Sequence, residues 1–158
     1  MTTELQIDEL AGVVDLFGAL TPAETTRALD ELAFKQGGEI EASAAEAAVE
    51  DALDAYALVR YERDGQALLA PGPTAFPTLP ENAEDLPHIL DVPERDVDRE
   101  AAGEAVASRL RAEAARAVDA GEESTMRELL DVTYDVAVWS DAVAVDDVRA
   151  RLDDALSE

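Results

Sequence analysis

Residues 57–70 read ALVRYERDGQALLA. Two short apolar runs, Ala57 to Tyr61 and Gln66 to Ala70, flank Glu62-Arg63-Asp64-Gly65. An Asp-Gly pair between such runs is a β-hairpin signal, because both residues tolerate the positive φ that the tightest turns require. Everything upstream of this hairpin reads as helix. Ile7, Leu10, Val13, Val14 and Phe17 recur at helical spacing, and Gly18 can end that element. Thr21-Pro22-Ala23-Glu24 predicts a reciprocal capping box with proline where no amide hydrogen is needed. It opens a helix with Leu29, Leu32 and Ala33 inward, stopped at Gly37-Gly38. A short extended piece is expected over 39–41. Ser43-Ala44-Ala45-Glu46 has the form of a second capping box, opening a helix over 43–56 with Val49, Leu53 and Tyr56 inward.

Downstream, six of the seven prolines fall between Pro71 and Pro93, which disfavours regular helix. Residues 71–97 therefore read as a proline-rich connector over the surface, with Leu79, Leu86, Ile89 and Leu90 tucked in. A structureless loop of this length is unusual, so some local order is expected. Residues 98–158 read as a helical unit. Val106, Leu110, Ala114, Ala117 and Val118 form one stripe that Gly121 ends. Thr125 to Glu128 is a third candidate cap, before a helix bearing Met126, Leu129, Leu130, Thr133 and Val136. Val132, Tyr134, Val136 and Val138 also alternate as a strand would, but the preceding residues fit only the helical period. Asp146-Asp147 places two acids at the positive end of a last helix with Val148, Leu152 and Leu156 inward. The expected class is mainly α with one small β-hairpin, in three parts: a module over 1–70, a connector over 71–97 and a helical unit over 98–158.

The chain has 158 residues and a formal charge of −25, from 37 acids against 12 cations, of which Lys35 is the one lysine. Strong acidity with few aromatics is one mark of disorder. Against that, 47% of the residues are apolar and periodic. The remaining reading is adaptation to brine: the Debye length shrinks from ~10 Å at 0.1 M salt to ~3 Å at 1 M, so a dense carboxylate shell barely repels itself there. Low lysine, 31 alanines and few large apolar residues have the style of cytoplasms that hold molar salt. The absence of cysteine removes disulfides, thiolate nucleophiles and cysteine-based metal sites. No signal peptide and no membrane span are visible, so a cytoplasmic location without membrane association is expected.

The order helix, helix, short strand, helix, hairpin over 7–70 resembles a winged-helix module. The phrase Leu10-Ala11-Gly12-Val13-Val14-Asp15-Leu16-Phe17-Gly18-Ala19-Leu20 resembles an uncharacterised family of acidic proteins from halophilic archaea, and that resemblance implies no activity. The winged-helix resemblance implies DNA reading through the third helix, here 43–56. Its residues oppose that use: base edges and phosphates want Arg, Lys, Asn or Gln, and this helix offers Glu46, Glu50, Asp51 and Asp54. Over residues 1–56 there are 13 acids against Arg27 and Lys35. Molar salt weakens this repulsion but also removes the affinity gained by counterion release. Nucleic-acid binding through helix 43–56 is therefore not expected.

Five residues stand out as candidate partner contacts. Arg60 and Arg63 lie at the hairpin, flanked by Glu62 and Asp64, so a solvated turn is the plain alternative. Arg109 and Arg116, seven apart, share a helix face in the most positive stretch; intrachain pairing with the many carboxylates is the plain alternative. Trp139 is either an interface anchor or filler for alanine-rich helices, and filler is preferred. His88, the one histidine, matches no ligand box and no nucleophile–base arrangement, and reads as a loop residue held locally. No phosphate-binding glycine loop or calcium loop is present. The expectation is a non-enzymatic interaction or regulatory protein that uses a winged-helix scaffold for protein contacts, without cofactor or metal and with a homodimer open. The alternative is a DNA-binding transcription regulator; an enzyme ranks third.

Overall fold

A computed structural model describes residues 7–38, 40–80, 83–140 and 143–157. Among them are seven helices and one two-stranded antiparallel hairpin. Contacts divide the chain into two compact units, Met1–Asp98 and Arg99–Glu158.

In the first unit, α1 (Ile7–Phe17) buries Leu10, Val13, Val14 and Phe17 and packs on α3 (Ala42–Asp54) and on β2 (Gln66–Pro71). Burial of each such side chain is worth about 1.5–3 kcal/mol. α2 (Pro22–Lys35) begins at the capping box read from the sequence: the Glu24 amide donates to Thr21 Oγ1 (3.1 Å) and the Thr21 amide donates to Glu24 Oε1 (2.9 Å). The Ser43 motif does not cap. α3 starts two residues earlier with Glu41 as N-cap and no side-chain cap bond, because Ala42 and Ser43 extend the helix at little cost.

β1 (Leu58–Arg63) pairs with β2 in the register Arg63↔Gln66, leaving Asp64-Gly65 as a two-residue turn with φ of 54° and 78°. These are the conformations a type I′ hairpin needs. The backbone of Leu20 bridges Leu69 on the outer edge of β2, through reciprocal bonds of 3.0 and 2.7 Å. The extended piece expected over 39–41 falls partly outside the described residues, and Ile40 and Glu41 are in no strand; the strand-like contact is made by Leu20 instead.

The proline-rich segment is laid back over this unit. The Thr78 amide donates to the Asp8 carbonyl (3.0 Å) and the Arg95 amide to the Phe17 carbonyl (2.8 Å). A short α4 (Leu86–Ile89) packs on α2. Leu86, Ala83 and Val92 enter the core and Leu90 packs against it. Leu79 and Ile89, expected to be tucked in, are 46% and 50% exposed.

In the second unit, α5 (Arg99–Ala120), α6 (Glu123–Trp139) and α7 (Asp146–Leu156) each pack on the other two. Val106, Leu110, Ala114, Met126, Leu129, Val136, Val148 and Leu152 fill the space between them. The ambiguous run over 132–138 is helical. Its cap is Glu122 rather than Thr125, and it makes no side-chain cap bond.

Candidate interaction surfaces

α3 turns Ala45, Val49 and Ala52 inward, so the 3.6-residue period sends Glu46, Glu50, Asp51 and Asp54 to the exposed side. The helix contains no Lys or Arg. At the foot of α3, Tyr56 takes φ +63° with its side chain buried, and the Thr74 amide donates to its carbonyl (3.1 Å). This turn aims the chain into β1 and leaves the acidic face beside the hairpin in sequence.

On the hairpin, Arg60 and Arg63 are exposed. No carboxylate of the described residues lies within ion-pair distance of Arg60, whereas Arg63 Nη1 lies 3.7 Å from Asp98 Oδ2. Arg63, Asp64, Gln66, Leu68, Arg95 and Asp96 line a groove of about 300 Å³. Its second cation is already engaged. Arg95 Nη1 and Nη2 donate to Glu24 Oε1 (2.6 Å) and Oε2 (3.2 Å), and Nη1 also donates to the Ala19 carbonyl (3.2 Å). Burial opposes the Glu24 charge, but the Arg95 hydrogen bonds and charge, with those of Thr21, outweigh it and hold the carboxyl below its usual range. A groove whose arginines already face carboxylates has little left to offer an anion.

The second unit shows the same economy. Arg109 Nε donates to Glu113 Oε1 one turn on (2.9 Å). Arg111 Nε donates to Asp147 Oδ2 (3.0 Å), and this bond holds the Asp147 carboxyl below its usual range despite some desolvation. Arg116 is exposed, with no ion pair among the described residues. Trp139 is half-buried at the end of α6. Of the five candidates, two lie on the hairpin of the first unit and three on helices of the second. Sequence reasoning missed Arg95, whose partner is 71 residues away, and Arg149, whose Nε and Nη2 bind Thr133 Oγ1 (3.2 Å) and carbonyl (3.1 Å). No local pattern marks either residue.

His88 is exposed at the end of α4. Among the described residues, no three His, Cys, Asp or Glu side chains are placed to hold a metal ion, and no helix is long and apolar enough to cross a membrane. What the geometry defines is a mainly helical acidic protein with a cation-free helix face and a hairpin whose Arg60 has no ion pair among the described residues. Over residues 8–157 the chain matches the family of unknown function DUF7109, and it belongs to that family. No curated protein and no solved structure matches it.

Proposed function

We propose that this chain is a non-enzymatic interaction or regulatory protein of a high-salt cytoplasm, whose first unit serves as a winged-helix-like scaffold for protein contacts. The order α1, Leu20 bridge, α2, α3, β1, β2 supports the winged-helix-like reading. The single observation that carries the functional reading is the exposed face of α3, with Glu46, Glu50, Asp51 and Asp54 and no cation. In the usual use of such a scaffold this helix enters the major groove, where phosphates line both sides. Four carboxylates there repel DNA, whereas they suit a partner protein bearing arginines or amide donors. The competing reading, a DNA-binding regulator, rests on Arg60, the hairpin cation without an ion pair among the described residues.

A photo-crosslinking amino acid placed at Glu50 or at Arg60 in living cells separates the two. Protein adducts from Glu50, with none to nucleic acid from either position, are the expected result. Nucleic-acid adducts from both positions would overturn the proposal in favour of DNA binding.

A further inference from the structure

Residues 65–80 are the longest uncharged run of a chain that holds 37 acids. Its last part, Ala75 to Pro80, is in no helix or strand. There Phe76, Pro77, Thr78 and Leu79 are all exposed, Phe76 by 78% and Leu79 by 46%. An aromatic ring turned to water is unfavourably hydrated until a partner covers it.

Covalent geometry restricts this segment. Proline holds φ at about −65° at 77 and 80, and a residue that precedes proline is pushed to the extended region, which covers Phe76 and Leu79. That leaves Thr78, which is seated on α1. Its amide donates to the Asp8 carbonyl (3.0 Å) and its hydroxyl to the Phe76 carbonyl (3.1 Å). The Phe76 amide donates to Asp8 Oδ1 (3.4 Å). Gly12 makes the seat, since a Cβ there would collide with the Thr78 carbonyl oxygen. Pro77-Thr78-Leu79-Pro80 is thus a proline-x-x-proline run, restricted by its own prolines and fastened to a helix.

We propose that residues 76–80 dock into an aromatic-lined groove of a partner protein, the surface that takes polyproline II segments. At about three residues per turn and about 3.1 Å rise, Phe76 and Leu79 share one edge about 9 Å apart, so they fill two neighbouring pockets with the Pro77 ring between them. Strand addition is disfavoured. Pro77 and Pro80 lack an amide hydrogen and the Phe76 and Thr78 amides are engaged, so no row of donors faces a partner strand. Charge selects the rim of the groove. Asp8, bonded to the segment, and Glu84, four residues beyond it, are both exposed, and a basic rim complements them. So few side chains bury less than the ~800 Å² per partner of a standard interface, and the contact is weak. It forms on a small area because the segment is already ordered on α1 before the partner arrives. None of these residues belongs to the acidic face of α3, so a failure here leaves that face untouched.

Phe76→p-benzoylphenylalanine in the full chain, irradiated in living cells, tests this. Its adducts should map to a partner peptide that contains Trp or Tyr. That partner, purified, is then titrated with the full chain in molar KCl. A synthetic peptide of residues 74–80 should compete, but only at about ten-fold higher concentration than the full chain, because it lacks the seat on α1. The same peptide with Ala at 77 and 80 should not compete. Phe76→Ala should weaken binding of the full chain at least ten-fold with unchanged circular dichroism, as its ring is exposed. Phe34→Ala, at an apolar position of α2 that is 75% exposed, should bind as the natural chain does. No protein adduct from position 76, adducts on a site without Trp or Tyr, equal competition by the two peptides, or equal affinity in Phe76→Ala and Phe34→Ala would overturn the proposal.

Discussion

Gly18 and Gly37 each follow the C-terminus of a helix and share nearly the same backbone, φ +85° and +80°. They differ in what lies beside them. A Cβ on Gly37 meets nothing within 4 Å, whereas a Cβ on Gly18 collides with the carbonyl oxygen of Arg95. Gly37→Ala should therefore cost only the left-handed backbone penalty, about 1 kcal/mol. Gly18→Ala carries that same penalty and must also lift the 92–95 segment off α1. Lifting it strains the 2.8 Å bond from the Arg95 amide to the Phe17 carbonyl and the guanidinium bond to the Ala19 carbonyl. Two hydrogen bonds, one of them charged, come to about 2–3 kcal/mol. The total for Gly18→Ala is then about 3–4 kcal/mol. Urea denaturation in molar KCl, followed by circular dichroism, gives both values. With a slope of about 1–3 kcal/mol per M, the Gly18→Ala midpoint should lie about 1 M or more below that of Gly37→Ala. Equal midpoints for the two variants would refute the packing of the proline-rich segment on α1.

Three further outcomes are expected. Glu24→Gln should lower stability at neutral pH by about 1–2 kcal/mol, through loss of the carboxylate charge that holds the Arg95 guanidinium, while the capping box survives because glutamine can still accept from the Thr21 amide. Because the folded Glu24 carboxyl titrates below its unfolded value, its contribution is present above the unfolded pKa and fades as pH falls through the folded one; the variant should flatten that acid limb in urea titrations at stepped pH. Gly65→Ala, at φ +78° in open solvent, should cost about 1 kcal/mol in the same assay, and a neutral result would contradict the tight turn. Moving from millimolar to molar KCl should raise the melting temperature, since the −25 shell then repels itself over ~3 Å rather than ~10 Å or more; an unchanged melting temperature would refute adaptation to brine.

Features set by neighbours along the chain were legible in the sequence. The Thr21–Glu24 box forms both of its bonds, α1 and α2 run as their apolar periods require, and Asp64-Gly65 makes the hairpin turn. The same pattern rule failed at Ser43 and Thr125, where alanine or acidic residues upstream let the helix start earlier; glutamates at a helix N-terminus are favoured by the backbone dipole as well. Long-range contacts left no local trace. Nothing around Arg95 points to Glu24, and nothing around Leu20 points to Leu69. Proline removes the periodicity that would have separated the buried Leu86 and Val92 from the exposed Leu79 and Ile89. Of the candidate contacts, the exposure of Arg60 and Arg116 was readable from their acidic surroundings and helical spacing. The hold of Arg149 on Thr133 was not, because it joins two helices.

The account turns on the acidic outer face of α3. Titration of the full chain with fluorescent duplex DNA, drawn from a random-sequence pool and repeated across KCl concentrations, bears on it most directly. No saturable binding is predicted at any salt, with affinity appearing at low salt only when Glu46, Glu50 and Asp54 are changed to lysine. Sequence-selective binding by the natural chain that persists in molar KCl and disappears with Arg60→Ala would contradict it.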